Sequence, residues 1–193
     1  MPITVAVTGH RDIPKEDEQL LTVALREQLD LIASKHQHSP LVFLSGLAEG
    51  ADRLAARCAL DAGWSLGAVL PLCPTEYEID FESAQSIAEF RDLMGQAAFV
   101  QVVSQPHEQV RPACYGALGR WFTRHALLLV AFWNGESNQL EGGTSETVRE
   151  FLESFSRNAD NLLETGPVIQ IVTRRQRNLN APIEVGKVII HAQ

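Results

Sequence analysis

The chain has 193 residues, 45% of them apolar and 21% charged, which suits one folded domain with a sizeable core and does not suit a disordered segment. Its 16 Lys and Arg stand against 24 Asp and Glu, a net charge of −8. That balance disfavours long nucleic-acid partners, which recruit a basic field, but it leaves room for a small phosphorylated ligand, because helix N-termini bind anions whatever the global charge.

The predicted elements alternate along the chain. Ile3 to Val7 reads as a short buried strand ended by Thr8-Gly9-His10-Arg11. A helical pattern over Lys15 to Ser34 follows, with Leu20, Leu21, Ala24, Leu25, Leu29 and Ile32 at three- and four-residue spacing. Leu41 to Leu44 is a second strand, and a helix over Ala51 to Ala62 is closed by Gly63. SLGAVLPL is a third strand stopped at Pro71, Pro74 to Phe81 is turn-rich, and Ala84 to Met94 is helical. A strand over Ala98 to Val103, a helix over Pro112 to His125 and the strongly apolar strand ALLLVAFW come next. After a polar loop, a helix over Thr144 to Ser156, the strand PVIQIVT and a last strand in EVGKVII complete the series.

Strands that are apolar throughout belong to a sheet covered on both faces. The expected fold class is therefore α/β, a Rossmann-like, doubly wound and mostly parallel sheet with helices on both faces. Residues 1–193 are expected to form a single domain, with an effector domain possible beyond residue 193. The longest apolar run, Ala126 to Trp133, is far short of the roughly 20 residues of a membrane-spanning helix, so no membrane partner is expected in this segment. MPITVAVTGHR lacks the features of a secretory signal. Cys58, Cys73 and Cys114 match neither a metal site nor a disulfide framework. The expected location is the reducing cytoplasm, and no metal is expected.

In such sheets ligands bind beyond the carboxyl ends of the strands, and three loops there are chemically unusual. Thr8-Gly9-His10-Arg11 combines a hydroxyl, a bare backbone and a guanidinium fork suited to phosphate. Ser45-Gly46-Leu47-Ala48-Glu49-Gly50-Ala51-Asp52-Arg53 carries two glycines at a strand end before a helix. It lacks the Lys of a phosphate-binding Walker loop and is not GxGxxG. Glu49 or Asp52 is placed to bind ribose hydroxyls, and Arg53 either to pair with phosphate or to decorate its helix. Glu141-Gly142-Gly143-Thr144-Ser145-Glu146 puts a glycine pair and a capping hydroxyl before a further helix, again an anion site by geometry. Beyond the third strand, Tyr77 and Phe81 either stack on a base or pack on the core, with Glu78 and Asp80 beside them. Asn134 ends the fifth strand, to bond a ligand or to start a turn. His36, His38, His107, His125 and His191 are read as surface or packing residues.

The ordered set VTGHR, LSGLAEGADRLAA, VLPLCPTEYEIDF, FWNG and GGT, spread over Ile3 to Thr173, resembles the SLOG superfamily. That group of Rossmann-like domains includes the Smf/DprA proteins and the LOG phosphoribohydrolases. The resemblance implies binding of a nucleotide or nucleotide-derived ligand by Thr8 to Arg11, Gly46 to Arg53 and Gly142 to Thr144, a bacterial ligand sensor that self-associates, and no further cofactor. LOG enzymes carry Pro-Gly-Gly-x-Gly-Thr-x-x-Glu with a catalytic glutamate; aligning Gly143-Thr144 with the second Gly-Thr step puts Thr147 at that position, and Glu146 one residue off. Sensing is thus the leading expectation. A nucleoside 5′-monophosphate phosphoribohydrolase using Glu49, Asp80 or Glu146 as general base is the enzymatic alternative, and single-stranded DNA binding, as in Smf/DprA proteins, is a third.

Overall fold

The computed structural model describes residues 1–104, 110–137, 142–157 and 168–191. Strands β1 (Ile3–Gly9), β2 (Leu41–Ser45), β3 (Ser65–Leu70), β4 (Phe99–Val102), β5 (Leu128–Trp133), β6 (Val168–Val172) and β7 (Val188–His191) form one sheet in the order β4-β3-β2-β1-β5-β6-β7. The first six run parallel, and β7 pairs antiparallel with β6. The expected doubly wound α/β fold is the one observed.

The unbroken apolar character of the strands has a direct cause. In β1, Val5 and Val7 pack with Leu21, Leu25 and Leu29 of α1 (Glu18–Lys35) and Leu54 and Ala55 of α2 (Ala51–Asp61). Ala6, between them, faces the opposite layer, with Leu118 and Phe122 of α5 (Arg111–His125) and Val148 and Phe151 of α6 (Thr144–Arg157). Alternate residues thus meet different helices, and both faces of the strand are apolar.

The turn-rich segment proves to be a single helical turn, α3 (Pro74–Tyr77), followed by a 3₁₀ turn over Glu78–Asp80. Four residues are too few for a periodicity to register. Helix α4 (Ala84–Gln96) starts where the Ser83 side chain accepts the Ser86 N–H, a helix-capping bond. The last strand is shorter than EVGKVII, spanning four residues at the sheet edge. No helix among the described residues is long and apolar enough to cross a membrane.

The topology fixes where a ligand can sit. From β1 the chain winds outward through β2, β3 and β4, whereas β5 and β6 lie on its other side. The crossovers that leave β1 and β5 therefore diverge onto opposite faces, α1 with one layer and α6 with the other. A crevice opens between their carboxyl ends, the position at which open α/β sheets bind ligands.

Candidate ligand-binding site at the β1–β5 crevice

A cavity of about 280 Å³ occupies that crevice, with Thr8, Gly9, His10 and Arg11 forming one wall. Backbone bonds hold this wall in place: His10 N–H donates to Phe132 O of β5 at 3.2 Å, and Ala51 N–H of α2 donates to His10 O at 3.1 Å. A Cβ at Gly9 would overlap the side chains of Ala51 and Phe132, so the bare residue lets β1, β5 and α2 close on one another. The His10 ring is only 6% exposed, and its Nε2 lies 3.2 Å from Asn134 Oδ1. Burial, reinforced by Arg175, lowers its pKa, and the ring is neutral at pH 7.

Arg11 carries the positive charge of this wall. Its guanidinium donates to Tyr115 OH at 3.1 Å and lies 5.3 Å from the centre of that ring. Tyr115 in turn donates to Asp80, which pairs with Arg111 at 2.8 Å. Burial, with the bond given to Asp80, pushes the Tyr115 phenol up to about 12, so it remains a donor. Arg175, just beyond β6, adds a second guanidinium to the lining and is steadied by Asp12 at 2.7 Å.

The opposite wall is the start of α6, where Gly142, Gly143 and Thr144 face the cavity with Thr147 one turn on. Gly142 has φ +73°, and a Cβ there would overlap Tyr115. The N-terminal end of a helix offers unpaired N–H groups and the positive end of its dipole, which together favour an anion.

Besides His10 and Thr147, Asp52 and Tyr77 belong to the lining from buried positions. Asp52, 7% exposed, accepts the Ala48 N–H at Oδ2 over 3.3 Å. Burial pushes its carboxyl up to about 7 against the opposing pull of that bond and of Arg11 and Arg53. Tyr77 is 0% exposed, and its hydroxyl has no hydrogen-bond partner among the described residues. Among the described residues no three His, Cys, Asp or Glu gather in a group able to hold a metal ion.

The crevice thus gathers Thr8, Gly9, His10, Arg11, Asp52, Tyr77, Gly142, Gly143 and Thr144 of the candidates named from sequence. The rest do other work. Ser45 is buried, its Oγ donating to Asp52 O at 3.0 Å and accepting from Leu47 N–H at 3.1 Å. Gly46 lies against Asp52 and Leu118, leaving no space for a side chain. Gly50, at φ +78°, sits where a Cβ would overlap the Arg11 carbonyl, so it admits the first loop rather than a ligand. Arg53 points away from the crevice, donating to Leu47 O at 3.0 Å, Ser86 O at 2.9 Å and Glu89 at 3.1 Å. Asn134 acts through His10.

All three candidate carboxylates lie off this cavity's lining. Glu49 accepts from Glu82 N–H at 3.0 Å and from the Ser86 hydroxyl. Asp80 is held by Tyr115 and Arg111, and Glu146 accepts Gly142 N–H at 2.5 Å. Of the two alternatives for Tyr77 and Phe81, the structure shows packing: both rings lie with Phe90 in the core, and Phe81 also lies under Arg53. Glu141 and His107 fall outside the described residues. Sequence reasoning did not find Tyr115 or Arg175, and it named Thr147 only as the residue aligned with the LOG glutamate. Arg175 had a signal, the Arg174-Arg175 pair directly after a strand, whereas Tyr115 projects from the body of a helix and had none.

No protein-family model matches the chain, and no curated protein matches it at a significant level. Solved structures do. DNA processing protein A (DprA) of Streptococcus pneumoniae matches with TM-score 0.56 and 21% identity, over 80% of this chain and 48% of that one. The Helicobacter pylori DprA, described for its single-stranded DNA binding mode, matches with TM-score 0.54 and 17% identity, over 80% of this chain and 62% of that one. The fold and crevice define a Rossmann-like α/β protein. Its fold is that of the DprA proteins, in line with the SLOG resemblance, and the chain spans about half to three fifths of their length.

Proposed function

We propose that residues 1–193 form a single ligand-binding domain that takes up a phosphorylated small molecule, a nucleotide or nucleotide derivative, in the β1–β5 cavity and does not turn it over. The observation that carries this reading is the convergence of Arg11, Arg175 and the α6 N-terminus on one cavity. Arg175 is offset by Asp12, so Arg11 and the helix dipole stand against one lining carboxylate, Asp52, which is half protonated near neutrality. The local field is then positive although the chain is acidic. At about 280 Å³ the space lies at the small end of ligand pockets, ~300–1,000 Å³, which suits part or all of one nucleotide.

Absence of turnover is supported by chemistry at the α6 wall. Thr147, at the position aligned with the LOG glutamate, lines the cavity, while Glu146 faces elsewhere and is bound to Gly142 N–H. A second reading keeps one supporting observation: Asp52 is a lining carboxylate with a pKa of about 7, the range suited to a general base. DNA binding has the DprA likeness on its side and the net charge of −8 against it.

Thermal denaturation with a nucleotide panel tests the proposal. A ligand at 100 times its Kd stabilises by about 2.7 kcal/mol, which raises Tm by roughly 5–10 °C in a chain of this size. Nucleoside monophosphates are expected to shift Tm and the parent nucleosides are not. Equal shifts from both would remove the anion reading. Release of free base, lost in Asp52→Asn, would establish the hydrolase instead, and affinity for an oligonucleotide that collapses with added salt would establish DNA binding.

A further inference from the structure

Resting on that reading, we infer that the crevice is a proton-coupled oxyanion site: each oxyanion enters with one proton, which the Asp52 carboxyl shares with it. The first observation is where that carboxyl lies. It belongs to the cavity lining together with Arg11 and the start of α6, on a buried residue. One of its oxygens, Oδ2, takes the Ala48 N–H. The other has no partner among the described residues, yet it is not sealed from the accessible surface as the Tyr77 hydroxyl and Arg53 Nη2 are. An open acceptor therefore stands in the wall of a cavity whose other features favour an anion.

The second observation is the lack of a cation on this carboxyl. Arg53, its neighbour in α2, donates to Leu47, Ser86 and Glu89, and Arg11 donates to Tyr115. Arg175 is taken by Asp12. An ion pair would keep the carboxylate charged. Without one, burial pushes its pKa up to about 7, against the weaker pull of the Ala48 bond and of Arg11 and Arg53. The other titratable groups around it are His10 in the loop after β1, Tyr77 of α3 and Tyr115 of α5. Burial lowers the histidine and raises both phenols from their ordinary values, so none of the three changes charge between pH 7 and pH 9.

An ionised carboxylate and a phosphate or sulfate oxygen are both acceptors and both negative. Two such groups in contact do not both stay ionised; they hold one proton between them, as paired carboxylates do. A space of 280 Å³ is roughly 8 Å across if compact, which leaves Asp52 beside any oxyanion that Arg11 and the α6 N-terminus hold. Below pH 7 the proton is already on Asp52. Above it, free Asp52 has lost the proton, and binding must draw one from solvent. Affinity then falls as pH rises, toward the one-proton limit of about tenfold per pH unit. A cation would also satisfy Asp52, but it would stand beside Arg11, and no second carboxylate among the described residues lines the cavity to hold it.

The test is calorimetric titration of the 193-residue protein and of Asp52→Asn with sodium sulfate and with inorganic phosphate at pH 7, 8 and 9. Each titration is run in two buffers of different ionisation heat, which counts the protons taken up. Sulfate is the cleaner probe, because it carries no titrating proton in this range. The wild type is expected to take up about half a proton per sulfate at pH 7 and close to one at pH 8 and 9. Its sulfate affinity should fall about fivefold from pH 7 to 8 and nearly tenfold from pH 8 to 9. Asp52→Asn should bind sulfate with no proton uptake and with affinity constant within about twofold. The wild-type uptake and slope decide the matter even where the variant does not fold. Sulfate binding without proton uptake in the wild type overturns the coupling and leaves the anion reading standing, and so does a slope that persists in folded Asp52→Asn. No binding of either anion removes the reading beneath it as well.

Discussion

The loops after β1 and β2 carry the same sequence signature, small residues and glycines followed by an arginine, and they spend it differently. Thr8 to Arg11 turns its residues into the cavity. Ser45 to Arg53 is knitted to itself: Ser45 to Asp52 and Leu47, Asp52 to Ala48, and Arg53 to Leu47. Only Ala48 and Asp52 from the second loop reach the crevice. Glycine marks a close approach of backbone, but the approaching group can be a ligand or another loop. At Gly50 it is the Arg11 carbonyl. The second loop is thus the support on which the first is mounted.

The largest effect expected from this contrast is at Gly50. Alanine there must hold φ near +78° and clear the Arg11 and His10 backbone, at a cost of more than ~3 kcal/mol. That lowers Tm by roughly 6–12 °C. Gly63 is the control: its φ is +80°, but a Cβ there meets nothing within 4 Å. Only the left-handed backbone term of ~1–2 kcal/mol remains for Gly63→Ala. Equal losses in thermal denaturation would show that the loops do not depend on each other's backbone.

The two arginines divide the loops more sharply. Arg53 is 2% exposed, and its replacement by methionine strands the Leu47 and Ser86 acceptors, whereas Glu89 keeps Arg57 as a partner. A stability loss of about 2–3 kcal/mol is expected, with the ligand response retained in the folded fraction. Arg11→Met exchanges one exposed hydrogen bond and should cost under ~1 kcal/mol while abolishing the Tm shift from phosphorylated ligands. The reverse pattern would make the second loop the binding element.

Much of this frame is legible in the sequence. Val5, Ala6 and Val7 announce a sheet covered on both faces, and the glycines of the first and third loops fall at its carboxyl edge. What is not legible depends on distant partners. Nothing local to Gly50 says that Arg11 will lie against it. Arg53 cannot be told from Arg11 without Ser86 and Glu89, which are 33 and 36 residues further on. Tyr115 reaches the site only because α5 packs beside α6. The antiparallel pairing of β7 escapes because its four residues alternate weakly and are half exposed.

Asp52 joins the two loops, and pH reads its position. Its folded pKa of about 7 lies above the unfolded value near 3.9. Between those values the folded protein binds a proton that the unfolded chain has lost, so this group makes stability fall as pH rises, and the cost is complete above about pH 7. An asparagine side chain does not titrate and has no such dependence. The Tm of Asp52→Asn relative to wild type is therefore expected to climb between pH 5 and pH 8, by the equivalent of about 2 kcal/mol. A constant offset would mean that Arg11 and Arg53 already hold the carboxylate charged, and the two loops would then be coupled as an ion pair.

The smallest effect is expected at Glu146, where the third loop resembles the second in using a side chain to fix its own backbone. The carboxylate accepts Gly142 N–H at 2.5 Å and lies 3.8 Å from Arg149, and it borders a separate recess with Trp133, Leu152 and His191. Glutamine preserves an acceptor but gives up the charge at the helix N-terminus, worth ~0.3–1 kcal/mol. Glu146→Gln should therefore lower Tm by a few degrees at most and leave ligand affinity within about twofold, because Gly143 and Thr144 offer the ligand backbone rather than carboxylate. Loss of a measurable turnover in this variant would instead make Glu146 catalytic, and the α6 wall would then work through its side chains and not through the helix end.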